Sequence, residues 1–311
     1  MKSYMLGLGI ISVVLVCAAC GEAGSSEENN ASANEVVEVD SEFTNEKVEI
    51  PANPKRIIAD EYLASVIALG SMPIGAKELS LKNPYLTEYT DQIESIGMDG
   101  NESYEKILSL QPDLIITGTS DQAVYDELVK IAPTVAIPFG TLKNTEEEIT
   151  GIAQLLGKEE QGEKWLENYQ TRIEAARQKA QDAVGEDASF SILEATGKSI
   201  YVYGDNFGRG GQAVYQALDF QPDEEVADII MEEQWKELSF EVLDEYAADY
   251  IVLTSNDKTI DDLKSDPIWS GLDAVKNDRV YVWQEERSWY YDPFAIVEQT
   301  EELADWLAET N

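Results

Sequence analysis

Histidine is absent from all 311 residues, and cysteine occurs only at Cys17 and Cys20. Without an imidazole, Ser-His-Asp and Cys-His nucleophilic catalysis are excluded, as are His-rich zinc sites. With both thiols near the start, the body of the chain has no disulfide, thiol nucleophile or thiolate metal site. Basic residues are also scarce. There are 22 Lys and Arg against 61 Asp and Glu, a formal net charge of −39 at pH 7. Such a surface repels nucleic acid and anionic membranes. It suits a soluble protein facing high salt or an alkaline medium. Apolar residues make up 43% of the chain, enough for a proper core in one large domain or two lobes.

What is present begins with an export signature. The segment MKSYMLGLGIISVVLVCAACGE has a basic start at Lys2, then an apolar run over 5–16. That run is too short for a comfortable membrane span and reads as a signal peptide over 1–19. Its Ala-Ala-Cys-Gly end resembles a bacterial lipobox, with Cys17 standing where Leu is usual. The resemblance implies that Cys20 is lipidated and anchors the protein outside the cell membrane, on a Gram-positive surface. Residues 22–42 are acidic and poor in bulky groups, which predicts disorder. A flexible tether over 20–45 is the expectation.

From residue 46 onward, strands and helices alternate. KRIIAD (55–60), PIGA (73–76), PDLIITG (112–118) and PTVAIP (133–138) read as strands. Between them lie helix candidates at 62–70, at 103–110 with Ser103 as N-cap, at 123–132, and at 145–157 closed by Gly157. This order predicts a parallel sheet covered on both faces. Residues 158–184 differ. They lack proline, and Trp165, Tyr169, Ile173, Ala176, Ala180 and Val184 form one narrow apolar stripe. A rigid helical connector is expected here. Alternation then restarts, with strands at 188–196, 199–204, 249–255 and 278–283 and helices at 211–220, 239–248 and 300–310. The predicted architecture is α/β, with a first lobe over 46–157, a connecting helix over 158–184 and a second lobe over 185–311. A cleft between two lobes is a favoured place for a small ligand.

The stretch YGDNFGRGGQAVYQALDF (203–220) is the sharpest local motif. A glycine-rich turn opening a helix can cradle phosphate. This turn, however, lacks the Gly-Lys-Ser/Thr that a P-loop needs, which argues against a nucleotide. Clustered carboxylates such as Asp60 and Glu61 could in principle serve acid–base chemistry, but in so acidic a chain such pairs arise by chance.

Six segments, in order, resemble iron-siderophore-binding lipoproteins, the substrate-binding components of ABC importers. They are PKRIIADEYLASVIALGSMPIGA, EKILSLQPDLIITGTSD, YDELVKIAPTVAI, DNFGRGGQAVYQALDF, LSFEVLDEYAADYIVL and LDAVKNDRVYVW. Within that family, YVYGDNFGRGG and SWYYDPF look most like the ferric-hydroxamate branch. The resemblance implies two Rossmann-like lobes joined by a long rigid α-helix, the class III periplasmic-binding-protein arrangement. It implies a binding protein rather than an enzyme, with no cofactor, no protein-held metal and a monomeric state. Its partners would be a ferric hydroxamate siderophore and the permease subunits of the importer.

By the same resemblance, Arg209 contacts the ligand. Its planar, always charged guanidinium suits iron-bound hydroxamate oxygens, which keep partial negative charge. The alternative is an arginine paired with an acidic neighbour such as Asp205. Tyr201, Phe207, Trp289 and Tyr290 would supply apolar walls with polar tips. Tyr62 and Phe139, each following a strand end of the first lobe, would join them. Relatives carry Trp where this chain has Phe207, so one indole donor is lost. Glu105 and Glu241, at matching places in the two lobes, would dock onto permease arginines; on residue type alone each could be a simple capping glutamate. A tris-catecholate complex carries three negative charges and needs several cations, whereas the matched turns offer Arg209 and at most Arg287. Neutral or cationic hydroxamate complexes are therefore expected, with catecholates, ferric citrate, heme or cobalamin as the alternative ligands. Heme is disfavoured by the missing histidine.

Overall fold

The computed structural model describes residues 35–98 and 100–310. The signal peptide and Cys20 lie outside the described residues. In chain order the strands are β1 (Val36–Val39), β2 (Val48–Pro51), β3 (Ile57–Ala59), β4 (Gly75–Ala76), β5 (Glu94–Ser95), β6 (Gly97–Met98), β7 (Asn101–Glu102), β8 (Leu114–Thr117), β9 (Thr134–Ala136), β10 (Phe190–Thr196), β11 (Ser199–Tyr203), β12 (Trp235–Leu238), β13 (Tyr250–Thr254) and β14 (Val280–Trp283).

The first lobe is built on a parallel sheet of order β5-β4-β3-β8-β9. Its strands are short, and β3, β8 and β9 are buried on both faces, as parallel strands covered by helices must be, while the edge strand β5 is exposed. Ile57, Ala59, Leu114 and Ile116 pack against helices Leu63–Ala68 and Thr145–Leu156. Ile58 and Ile115 point the other way, onto Ile107 and Leu128. This is the period-two alternation of a strand, with both sets buried.

Two features of this lobe differ from the expectation. The acidic tether was expected to run to residue 45, but β1 lies inside that stretch and pairs antiparallel with β2 beyond it. The reason is the alternation in VVEV: Val37 and Val39 rest on the core while Val36 and Glu38 face water. Ser41 is also buried, and its Oγ accepts a hydrogen bond from the Ala136 amide at 3.0 Å.

The second lobe carries a sheet of order β12-β11-β10-β13-β14. It is mixed rather than wholly parallel. β10, β13 and β14 run parallel, whereas β10–β11 and β11–β12 are antiparallel. The two-residue link Gly197–Lys198 between β10 and β11 is too short for a crossover, so it can only make a hairpin. Two predicted helices also change form. Residues 211–220 contain a π-helix, Gln212–Ala217, and residues 239–248 contain only the 3-10 turn Leu243–Tyr246.

Helix Glu159–Val184 joins the lobes as the stripe predicts. At 26 residues it is about 39 Å long at the α-helical rise of 1.5 Å. Trp165 and Leu166 pack against the first core, Ala176 and Ala180 against the second, and Ile173 sits between them with Ile296 and Val297. The C-terminal helix Pro293–Thr310 lies alongside it. A connector gripped at both ends and braced by a parallel neighbour resists large hinge bending.

Candidate ligand cleft between the lobes

A cleft of about 850 Å³ of empty space, part of it open to solvent, lies where the lobes meet. The first lobe contributes Glu61, Tyr62, Leu63, Leu79, Asn83, Phe139 and Glu148. The second contributes Asn206 and the run Trp289, Tyr290, Tyr291 and Asp292. Tyr62 follows the C-terminal end of β3, and Phe139 follows β9. Chain order in the first sheet reverses at β3, and such switch points are where open α/β sheets place ligands.

Tyr62 takes a left-handed backbone, with φ of 62°. That conformation is uncommon for a bulky side chain and recurs at functional sites. Its hydroxyl donates to the Ile137 carbonyl at 2.9 Å, which fixes the ring, and burial holds its phenol well above the usual range. Phe139 is half exposed and forms edge-to-face contacts with Tyr291 at 6.0 Å and Phe207 at 6.5 Å. It thus meets aromatic rings of the opposite lobe across the cleft.

Three hydrogen bonds between lobes close one flank. Asn83 Nδ2 donates to Asp292 Oδ2 at 2.6 Å, Tyr290 Oη to the Leu79 carbonyl at 3.0 Å, and Tyr85 Oη to the Arg287 carbonyl at 3.0 Å. Burial pushes the Tyr290 phenol up to about 12, helped by the Asp292 and Glu286 charges, so it stays a donor at neutral pH. Asp292 also accepts from the Phe294 and Ala295 amides and so caps the C-terminal helix. Its carboxyl is raised by burial, an effect those bonds oppose.

Glu148 was not expected to matter; in TEEEITG it looks like one of several first-turn acids. The helix turns it into the cleft, where the Ser65 hydroxyl donates to it. Burial first, then the charges of Asp292 and Glu61, push its carboxyl up to about 8, while the Ser65 bond pulls the other way. Among the described residues lining the cleft there are three carboxyl groups and no Lys or Arg.

The NFGRGG turn sits behind the second-lobe wall. It follows β11 and leads into the π-helix. A side chain at Gly211 would meet the Gly204 carbonyl at 2.0 Å, and one at Gly210 the Trp283 ring at 2.5 Å. Only glycine lets this turn lie so close to the sheet. Arg209 has a φ of 57°, and its amide donates to the Ser288 carbonyl at 2.7 Å, tying the turn to the Trp289–Tyr291 run. Its side chain is buried, not splayed into the cleft. The guanidinium carbon lies 4.0 Å from the Trp289 ring centre and 4.9 Å from that of Tyr203. Nε donates to Glu194 at 2.9 Å. Glu194, rather than Asp205, is therefore its ionic partner; Asp205 instead accepts from Gln234.

Not all expected residues gather at the cavity. Tyr62, Phe139, Trp289 and Tyr290 line it. Tyr201 and Phe207 stand to one side, each against Trp235 at 6.2 and 6.4 Å. Trp235 is half exposed and extends this aromatic wall; as a lone Trp in MEEQWKEL it carries no motif that would mark it in the sequence. Arg287 points away, donating to Glu302 and lying over the Tyr85 ring at 5.3 Å. Glu105 is exposed in the first turn of helix Tyr104–Ser109, where Ser103 accepts from the Lys106 amide as the N-cap. Glu241 is exposed too, but it precedes a 3-10 turn rather than starting an α-helix.

Known proteins resemble this chain in sequence and fold. The chain is 35% identical over 316 residues to the iron(3+)-hydroxamate-binding protein YxeB of Bacillus subtilis, covering 99% of this chain and 97% of the relative. It is also 35% identical over 314 residues to the iron(3+)-hydroxamate-binding protein FhuD of the same organism, covering 98% of each. The solved structure of FhuD2 from Staphylococcus aureus with bound ferrioxamine B superposes with a TM-score of 0.73 at 28% identity, covering 83% of this chain and 99% of that one. These relatives are binding proteins, not enzymes. The periplasmic binding protein family matches residues 57–286, and the chain belongs to that family.

Proposed function

We propose that the protein captures ferric hydroxamate siderophores in the interlobe cleft, outside the cell membrane, and delivers them to an ABC permease. The observation that carries the reading is the lining itself: aromatic walls, hydrogen-bonding tips, carboxyl groups and no cation. Three hydroxamates neutralise one ferric ion, so the complex is uncharged unless its backbone bears an amine. Such a ligand offers apolar surface to Tyr62, Phe139, Phe207, Tyr201, Trp289 and Tyr290. Arg209 lies beneath Trp289 rather than in the lining, and its Nη edge, which Glu194 does not use, is the proposed donor to the iron-bound oxygens. A trianionic complex would meet a lining that carries the carboxyl groups of Glu61, Glu148 and Asp292 and, among its described residues, no Lys or Arg. The relatives' hydroxamate ligands support the same reading. Iron is held by the siderophore, and the protein does no chemistry on it.

Glu105 and Glu241 then serve as one docking carboxylate per lobe, both exposed. Cys20 carries the lipid that holds the protein at the membrane, and the protein acts as a monomer. The test of the ligand is a titration of intrinsic fluorescence with ferrichrome, ferrioxamine B, ferric citrate and ferric enterobactin. Quenching by the hydroxamates at low concentration is expected. Tight enterobactin binding with no response to either hydroxamate would sink the assignment. For docking, the Glu105→Ala and Glu241→Ala double variant should bind normally yet import no iron; normal import would remove the claim.

A further inference from the structure

Glu194 stands out as a buried carboxylate on an apolar strand face. Phe190, Ile192 and Glu194 share one side of β10, and the first two are core residues. Glu194 is 7% exposed, and Arg209 is 6% exposed. One oxygen, Glu194 Oε2, accepts from Arg209 Nε at 2.9 Å and from Tyr203 Oη at 2.6 Å. The guanidinium is thus held on an edge by a carboxylate and on its faces by Tyr203 and Trp289. Burying a carboxylate is costly unless it has a partner. Here it has two, and the pair is retained beside the ligand cleft rather than in either lobe's centre.

We infer that Glu194 is a positioning and specificity-determining residue that cancels the charge of Arg209 and so makes the cleft select uncharged or cationic ferric complexes over anionic ones. This rests on the reading above that Arg209, from beneath Trp289, donates to the ligand. Arg209 stacks beneath Trp289 of the second-lobe wall, and its pairing with Glu194 leaves that wall with no net positive charge. Glu61 has Lys77 at 3.6 Å as a partial counterion, while Glu148 and Asp292 accept hydrogen bonds from Ser65 and Asn83. A polyanionic complex therefore finds a bonded arginine but no net positive field. Rejection by absence of a compensating charge is a recognised route to specificity. Glu194 touches neither ligand nor cleft lining; it acts through Arg209.

The experiment is a salt-dependent binding titration of the full chain, purified in detergent, with neutral ferrichrome and trianionic ferric enterobactin as probes. Glu194→Gln keeps the shape and an acceptor but removes the charge. It should shift the enterobactin-to-ferrichrome affinity ratio toward the anion by at least about tenfold at low salt, and less at high salt. The Glu194→Gln, Arg209→Gln double variant removes both charges. Its absolute affinities should fall, but its ratio should return to within about threefold of the wild type. An unchanged ratio in the folded single variant, or equal losses for both ligands, overturns the inference. If the single variant does not fold, the double variant decides: a tenfold departure from the wild-type ratio overturns the claim. Should the wild type bind no hydroxamate, the ligand assignment fails by itself; the gain in enterobactin affinity of Glu194→Gln, read alone, still decides the role of Glu194.

Discussion

The two walls of the cleft are built on different principles. The first-lobe wall stands on a parallel sheet and presents side chains directly: Tyr62 from a strand end, Phe139 from a loop, Glu148 from a helix. The second-lobe wall stands on a mixed sheet and is layered. Trp289 and Tyr290 face the cavity, Arg209 lies beneath Trp289, and Glu194 lies beneath Arg209. A layered wall fixes its outer residues through buried bonds, so damage to it should cost both stability and affinity. A single-layer wall should lose contacts one at a time.

Arg209→Ala tests the layered wall most severely. Glu194 would be left buried without its cation, and breaking such a pair costs about 3–5 kcal/mol. Unfolding by urea should show that loss, and fluorescence titration should show ferrichrome affinity reduced by about 10- to 100-fold. Unchanged stability would mean that the pair is not buried as described.

Glu148→Gln probes the first-lobe wall, and its effect depends on pH. The folded-state value near 8 lies above the ordinary 4.5. The folded protein therefore holds this proton more tightly than the unfolded chain does. The stability it confers is complete below about pH 4.5 and is lost as pH rises through 8. Gln cannot ionise, so its stability relative to wild type, read by urea unfolding, should rise from pH 5 to pH 9 by on the order of 2–4 kcal/mol. A gap that shrinks over that range would reverse the sign and refute the buried carboxyl.

Tyr290→Phe removes the bond from the second wall to the Leu79 carbonyl. A loss of about 1 kcal/mol is expected in urea unfolding, with the ring contact retained. Phe139→Ala should matter least for folding, since the ring is half exposed. Stability should stay within about 0.5–1 kcal/mol of wild type, while hydroxamate affinity falls several-fold. A stability loss as large as that of Arg209→Ala would erase the contrast between the walls.

Much of this was legible in particular residues. Gly157 and Ser103 marked helix ends because their chemistry is local: a left-handed cap and a hydroxyl acceptor. The stripe from Trp165 to Ala180 announced a long helix because its period needs no partner to be seen. SWYYDP and NFGRGG pointed to the site by resemblance. Glu194 could have been suspected, as the polar residue on the Phe190–Ile192 face of an otherwise apolar strand. Glu148 could not, because many acids begin helices. Residues 211–220 have helical periodicity, yet their backbone widens to a π-helix. There the Leu218 amide bonds to the Ala213 carbonyl, five residues back, and the Val214 amide to the Gly210 carbonyl.

The sequence by itself determined the two α/β lobes, the helix between them and the residue types that a large, uncharged iron complex would need. Periodicity, caps and composition are properties of neighbours along the chain. Only the tertiary structure decided that Arg209 pairs with Glu194 beneath Trp289, that Glu148 turns into the cleft, and that Asn83 and Tyr290 bridge the lobes. Those are contacts between residues 15 to more than 200 positions apart. Burial and charge balance at such contacts depend on what the fold brings together.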